Sequence, residues 1–279
     1  MTTSGGDRQP PLPAQTLLKV RGLSKWFGSV QAVCDLSFTV NRGEILAMLG
    51  PNGAGKTTTL KCIVGLLRPQ WGEITIDGLP ARKPRSRQIV GWVPEVPTVY
   101  ELLTPWEHLQ FVALAYGLDG PGHRGGRQGR AGDHSGPANW RAEAEKLLKR
   151  FDLWDKRDTL ASGLSKGMRQ KLLICTALLH HPSLLILDEP MVGLDPPAQR
   201  QLRELFLELR DSGVGLLIST HMLESVERIC DRALIMHKGR RVAEGSLARL
   251  RDQFHLPTGT PLEDVFFEAI MNDGRVNPE

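Results

Sequence analysis

The chain has 279 residues, of which 41% are apolar and 24% charged, a composition that fits one large α/β unit with a buried core and a helical insertion. Its net charge of +4 is too small to indicate a nucleic-acid partner, and its four cysteines lack the C-x-x-C spacing of a structural zinc site. No signal peptide is visible, and no stretch approaches the roughly 18 apolar residues that span a bilayer.

The first third of the chain predicts short strands around one helix. It begins with a polar, Pro- and Gly-rich segment, residues 1–15, which we expect to be a flexible tail. Apolar and alternating runs over 17–23 and 32–40 predict strands of a small antiparallel sheet. Further strands are expected at 44–49 and 73–76, and a helix at 56–67.

The middle of the chain has a helical pattern and predicts a helical subdomain over about 96–174. A Gly-, Arg- and Pro-rich stretch inside it, 119–139, has too little apolar surface to order itself, so we expect a mobile surface loop; a basic interaction loop is the alternative. Beyond this region strands alternate with helices, which predicts a mainly parallel sheet covered on both faces. The strands are expected at 184–187, 214–219, 233–236 and 241–243, and the helices at 197–209, 223–229, 246–253 and 262–270.

A glycine-rich loop connects the strand at 44–49 to the helix after it. The loop matches the phosphate-binding pattern G-x-x-x-x-G-K-[ST]; its residues are Gly50, Pro51, Asn52, Gly53, Ala54, Gly55, Lys56 and Thr57, with Thr58 next. Glycines let backbone amides approach phosphate oxygens, and a helix N-terminus adds partial positive charge. We expect Lys56 to reach the β- and γ-phosphates and the Thr57 hydroxyl to bind Mg²⁺. The loop therefore predicts binding of a nucleoside triphosphate.

Two carboxylates, Asp188 and Glu189, end the apolar strand LLIL. That position places both at the carboxyl edge of the sheet, where folds of this class bind ligands. Asp188 is expected to hold Mg²⁺, directly or through water, and Glu189 to polarise the attacking water as general base. Such a pair can also merely cap a helix, but the phosphate loop upstream favours the catalytic interpretation.

Ser165 and Gly167 lie in the sequence LSKGMRQ, which opens an apolar helix. Here the chain resembles the ABC ATPases, whose signature is LSGGQ. Lys166 replaces the first signature glycine and Met168 the glutamine, while Ser165 and Gly167, the positions that touch phosphate in that family, are present. The resemblance implies a second anion-binding surface, which meets the γ-phosphate of ATP held by another subunit.

Further motifs of that family follow in its order. Asp195, in GLDP, resembles the D-loop at the dimer interface, and His221, in STH, resembles the switch histidine that contacts the γ-phosphate. Phe27, in KWFG, matches the aromatic residue that stacks on adenine, with Trp26 as the alternative. Glu95 stands where the family has the Q-loop glutamine; its carboxylate can still bind Mg²⁺ but adds negative charge near the triphosphate.

The resemblance implies an α/β fold: a P-loop ABC ATPase core with a mainly parallel sheet, a small antiparallel β subdomain and a helical subdomain. The ATPase domain is expected over 16–245 and a C-terminal helical extension over 246–279. The chain would bind ATP and Mg²⁺ and hydrolyse ATP in a head-to-tail sandwich with a second ATP-binding subunit, identical or closely related. Lys56, Glu189 and His221 would act in catalysis. Integral membrane permease subunits would be the other partners, on the cytoplasmic side of the cell membrane.

The variant signature, the sequence VPE around Glu95 and the closing sequence LEDVF look most like ATPase subunits of ABC-2-type exporters. The main alternative is a soluble ABC ATPase acting on nucleic acid or ribosomes. The chain has a single nucleotide-binding domain, too few residues between the phosphate loop and the signature for a long coiled coil, and no cysteine spacing that would form a zinc module. These features count against the alternative, so we expect no nucleic-acid partner. A catalytically inactive regulatory module is disfavoured because the candidate catalytic residues are all present.

Positive charge is concentrated in short stretches of the sequence. One contains Arg82, Lys83, Arg85 and Arg87, a second Arg124, Arg127 and Arg130, and a third Lys238, Arg240 and Arg241. These stretches predict either solvated loops or a surface that faces anionic lipid headgroups.

Overall fold

The computed structural model describes residues 15–118, 137 and 139–276. Nearly all of the expected tail, 1–15, and of the expected mobile loop, 119–139, lies outside the described residues. The strands are β1 (Thr16–Phe27), β2 (Val30–Asn41), β3 (Ile45–Leu49), β4 (Trp71–Ile76), β5 (Leu79–Pro80), β6 (Val90–Val93), β7 (Leu184–Asp188), β8 (Gly215–Thr220), β9 (Arg232–His237) and β10 (Arg240–Gly245). The helices are α1 (Lys56–Ile63), α2 (Pro84–Gln88), α3 (Pro105–Ala115), α4 (Trp140–Arg150), α5 (Lys166–Leu178), α6 (Pro196–Asp211), α7 (Leu223–Glu227), α8 (Leu247–Gln253) and α9 (Leu262–Val276).

A mainly parallel sheet forms the centre of the molecule, with strand order β10-β9-β3-β8-β7-β6. Its strands run parallel from β6 to β9, and β10 pairs with β9 in the antiparallel direction. The parallel strands therefore end at one common edge, which is where ligands bind in sheets of this class. Strands β3, β7 and β8 reach this edge at Leu49, Asp188 and Thr220.

Both faces of the central sheet are covered, as its continuous apolar strands require. Successive residues of a strand point to opposite faces, and the two sides of β3 belong to different cores. Ile45 and Ala47 pack with the core formed by α3 to α9, whereas Leu46 and Met48 pack with α1 and the antiparallel sheet. The antiparallel sheet has the order β2-β1-β4-β5. These sheets and helices confirm the predicted α/β fold class.

The helices of the middle segment begin at residues whose side chains cap them. Thr104 and Glu107 form a reciprocal capping box at the start of α3, and Asn139 accepts hydrogen bonds from the first-turn amides of α4. Ser165 caps α5 in the same way. Between α4 and α5 lie 3₁₀ turns at Trp154–Lys156 and Ala161–Gly163. Within the described ranges, every helix is too short or too polar to cross a bilayer.

Some elements differ from the sequence-based expectation. Helix α1 was expected to reach residue 67 but ends at Ile63, since Gly65 has a φ of 80°, outside the helical region. Helix α2 and strands β5 and β6 were not expected. They are too short for a periodic pattern and are held by tertiary contacts, such as the hydrogen bond from the Ser86 hydroxyl to the Pro80 carbonyl at 2.9 Å.

Candidate active site

A cleft of about 440 Å³ lies at the carboxyl edge of the central sheet. It brings together residues that the sequence places far apart: Phe27 at the end of β1, the loop before α1, Glu95 after β6, and Glu189 after β7. The lining residues are Phe27, Ala32, Pro51, Asn52, Gly53, Ala54, Gly55, Lys56, Thr57, Thr58, Glu95 and Glu189.

The loop before α1 packs so closely against its neighbours that glycine is required at two points. At Gly55, with a φ of 98°, a Cβ atom would lie 2.4 Å from the Ala32 carbonyl oxygen. At Gly50 it would lie 2.6 Å from the Met236 carbonyl oxygen. Gly55 also has no side chain to cap α1. The amides of the first helical turn are therefore left for an anion in the cleft.

Lys56 extends along this loop. Its Nζ donates a hydrogen bond of 2.6 Å to the Gly50 carbonyl and lies 3.9 Å from Oε1 of Glu189. Burial lowers the pKa of Lys56 below its ordinary value of 10.5, and the carboxylates of Glu189, Asp188 and Glu95 partly oppose that shift. A triphosphate in the cleft would add further negative charge beside this amine and favour its protonated form.

Glu189 is held by the end of strand β8. The Thr220 hydroxyl donates to its Oε2 at 3.0 Å, and the backbone amide of His221 donates to the same atom at 3.3 Å. Nδ1 of His221 lies 2.8 Å from Oε1. Glu189 also has a φ of 48°, a left-handed conformation that costs about 1–3 kcal/mol for a residue other than glycine. The surrounding contacts thus hold the buried Glu189 carboxylate in the lining of the cleft despite the strained backbone that carries it.

Asp188 lies behind Glu189 and is buried. The Ser219 hydroxyl donates a hydrogen bond to its Oδ1. Thr57 and Glu95 line the cleft, whereas Asp188 is not among its lining residues but is close enough to Lys56 to act on the pKa of that amine. These three residues offer hard oxygen donors near the phosphate loop. Mg²⁺ is commonly bound by one or two carboxylates together with substrate phosphates and waters, so this donor set fits Mg²⁺.

Ser165, Gly167 and Asp195 do not line this cleft. Ser165 is exposed and accepts a hydrogen bond from the Met168 amide at 3.3 Å, while Asp195 is exposed and accepts one from the Ala198 amide at 2.9 Å. Gly167 packs near Gly193, because a Cβ there would lie 3.4 Å from the Gly193 carbonyl. These residues therefore form a second, separate surface on the same chain, open to solvent.

The family model described as "ABC transporter" matches residues 33–192. The chain belongs to this family of ABC transporter ATP-binding proteins. Members of the family are ATPases, and this chain is an ATPase whose relatives couple hydrolysis to transport. The sequence-based predictions of the family and of ATPase activity are thereby confirmed.

Similar proteins extend over most of the chain. The ABC-type transporter ATP-binding protein EcsA of Bacillus subtilis is 35% identical over 92% of this chain and 98% of that protein. The SkfA peptide export ATP-binding protein SkfE of the same organism is 35% identical over 85% of this chain and 92% of its own length. A solved structure of an ATP-binding subunit of an ABC transporter has 39% identity and a TM-score of 0.80, and covers 91% of this chain and 100% of the other.

Some residues of this ABC ATPase site escaped the sequence analysis. Ala32 lines the cleft, and its carbonyl packs against Gly55, yet a single alanine in an alternating strand gives no signal. Ser219 and Thr220 were noticed only as neighbours of His221, but their hydroxyls bind Asp188 and Glu189. The polar end of an otherwise apolar strand was the available hint.

Proposed function

We propose that this ABC ATPase hydrolyses Mg²⁺-ATP in the cleft, as one half of a head-to-tail dimer that powers an ABC-2-type exporter. The observation that carries the proposal is the cluster of Lys56, Glu189 and His221. The Glu189 carboxylate lies 3.9 Å from the Lys56 amine and 2.8 Å from His221 Nδ1, beside a loop shaped for phosphate. A general base, a cation for the γ-phosphate and a group to orient water are thus gathered at one point.

Each residue has a role in this proposal. The loop amides and Lys56 bind the β- and γ-phosphates, and Phe27, which is half exposed at the cleft wall, stacks on the adenine. Glu189 accepts the proton of the attacking water, with His221 orienting that water. Thr57, Asp188 and Glu95 would hold Mg²⁺, which neutralises charge on the phosphate oxygens.

The exposed surface of Ser165, Gly167 and Asp195 supports the dimer. In a single chain this surface lies outside the cleft, so it cannot contact the nucleotide bound there. A second copy, turned head to tail, would bring its Ser165 hydroxyl and helix N-terminus to the γ-phosphate and complete the site. The partner can be an identical or a closely related subunit.

A membrane partner is supported by apolar side chains exposed on the segment after Glu95. Tyr100 and Phe111 contact each other edge to face, with ring centroids 5.5 Å apart, and Leu102 is 81% exposed. Val96, in the same segment, and Leu114, on α3 like Phe111, are exposed as well. Apolar patches of this kind mark protein interfaces. We infer that an integral membrane permease docks here, on the cytoplasmic side of the membrane, and that segment 95–103 transmits closure of the dimer to it.

The export direction and the ABC-2 assignment rest on similarity. Among the relatives, SkfE is described as a peptide export ATP-binding protein, and a Haemophilus influenzae relative as the ATP-binding protein of a lipopolysaccharide export system. The VPE sequence around Glu95 and the closing LEDVF sequence favour the same subfamily.

The test is the Glu189→Gln variant, because glutamine keeps the acceptor for Thr220 and His221 but is no longer a base. We expect ATP hydrolysis to fall at least about 100-fold, while ATP binding remains and an ATP-bound dimer accumulates in size-exclusion chromatography. The matched control is Glu204→Gln, an exposed carboxylate paired with Arg200 on α6, which should hydrolyse ATP normally. Hydrolysis at the normal rate by Glu189→Gln would remove Glu189 as the base.

The same variant tests the transporter assignment. Purified with ATP from detergent-solubilised membranes, it should bring a multi-helix membrane protein with it in stoichiometric amount. Recovery of ribosomes or nucleic acid without a membrane protein would contradict the exporter proposal and leave the ATPase activity standing.

A further inference from the structure

A second cavity, of about 450 Å³, lies at the far end of α1 from the nucleotide cleft. Its walls come from the end of α1 and the turn after it, from β4 and from the segment that runs from β5 into α2. The eight residues of α1 separate it from the phosphate loop by about 12 Å. This basic pocket is therefore distinct from the ATP site. Its lining residues are Cys62, Gly65, Leu67, Arg68, Pro69, Gly72, Glu73, Ile74, Pro80, Ala81, Arg82 and Arg87.

Three arginines from two separate segments of the chain line the basic pocket. Arg68 comes from the turn after α1, and Arg82 and Arg87 come from the segment around α2; Glu73 is the acidic residue of its lining. In the part of the chain that the structure describes, no carboxylate forms an ion pair with any of the three arginines. Elsewhere arginines are commonly paired, as in Arg150 with Glu208. With three arginines against one glutamate, the lining of the pocket carries a net positive charge.

The floor of the basic pocket adds no opposing charge. Burial raises the pKa of the Cys62 thiol to about 11, so the thiol is neutral at physiological pH. Ile74 and Ala81 contribute apolar walls. A cavity with apolar walls and a rim of arginines suits a ligand that combines a phosphate with an apolar body, since guanidinium groups bind phosphate oxygens through paired N–H donors.

The position of the basic pocket indicates where such a ligand comes from. A neighbouring groove of about 200 Å³ shares Ala81 and Arg87 with it and is lined by Leu66, Trp92 and Tyr116. Leu66 is 64% exposed and directly follows Gly65 of the basic pocket. The basic residues therefore adjoin an apolar surface, as at protein faces that rest on a membrane.

We propose that the basic pocket binds the phosphate of an anionic phospholipid headgroup from the membrane in which the permease lies. This proposal takes one thing from the proposed function, which is that a membrane lies nearby. Binding of the headgroup itself requires neither ATP hydrolysis nor the permease. Arg68, Arg82 and Arg87 hold the phosphate, and Leu66 contacts the interfacial region of the bilayer. Glu73 opposes the binding and limits its strength.

The test is sedimentation of the full chain with vesicles of phosphatidylglycerol and phosphatidylcholine, compared with phosphatidylcholine alone. Each arginine near an anionic surface strengthens binding by about fivefold, so the variant Arg68→Gln/Arg82→Gln/Arg87→Gln should bind about 100-fold more weakly. The matched control is Arg200→Gln/Arg228→Gln/Arg249→Gln, which removes the same charge from three exposed arginines outside the basic pocket and should bind like the unmodified chain. Glu73→Gln should bind more tightly.

Other outcomes would overturn the proposal. Equal weakening by both triple variants would mean that net charge, not the basic pocket, determines binding. Binding of inorganic phosphate by calorimetry, lost in the pocket variant but with no binding to anionic vesicles, would make the ligand a soluble phosphate. No binding of either probe would remove the site. Normal ATP hydrolysis by the pocket variant would show in each case that the ATPase proposal is unaffected and that the fold is intact.

Discussion

Replacing Gly55 with alanine tests how the phosphate loop is held. Gly55 has a φ of 98°, and the added Cβ would lie 2.4 Å from the Ala32 carbonyl oxygen, about 1 Å closer than an ordinary contact. The backbone conformation costs alanine about 1–3 kcal/mol. Relieving the close contact by moving strand β2 or the loop costs about 1–3 kcal/mol more, so we expect a loss of about 4 kcal/mol in the free energy of unfolding.

The assay is thermal unfolding with and without Mg²⁺-ATP. A loss of that size lowers the Tm of a chain of this length by roughly 10 °C. ATP should raise the Tm of the unmodified chain but not of Gly55→Ala, because moving the loop also misplaces the amides that bind phosphate.

Gly78→Ala is the control for backbone strain alone. Gly78 has a φ of 74° in the turn between β4 and β5, and a Cβ there would have no neighbour within 4 Å. We expect a loss of about 1–2 kcal/mol and a normal response to ATP. If Gly55→Ala proves no less stable than Gly78→Ala, the close approach of Ala32 does not constrain the loop, and the argument from packing is wrong.

The remaining predictions concern the surfaces outside the cleft. Ser165→Ala should lower ATP hydrolysis more than tenfold without weakening ATP binding to the single chain. The control is Ser246→Ala, which removes the matching cap of α8 at a cost of about 1 kcal/mol and should hydrolyse ATP normally. Equal activity of the two variants would contradict the dimer proposal. Leu102→Asp should abolish co-purification with the permease while basal hydrolysis remains; its control is Phe267→Asp, a change at another exposed apolar residue, on α9, and retained co-purification by Leu102→Asp would remove this surface as the docking site.

The sequence by itself determined the chemistry that is local in the chain. The phosphate loop, the carboxylates after β7 and the signature serine are each contiguous, and their flanking strand or helix shows in the same few residues. Apart from β6, the strands of the central sheet were also predicted, since strands buried on both faces are continuously apolar. Fold class, family and ATPase activity followed from these patterns.

Only the tertiary structure decided how the segments meet. Ala32 approaches Gly55, and Glu189 is hydrogen-bonded to Thr220 and His221, although these partners are far apart in the chain. The strained φ of Glu189 occurs at the same place. Their geometry depends on strand order and packing, which no local pattern records. The basic pocket also depends on tertiary structure, because a charged stretch in the sequence predicts solvated loops as well as it predicts a binding surface. The folding of the turn after α1 against α2 brings Arg68 into the same cavity lining as Arg82 and Arg87.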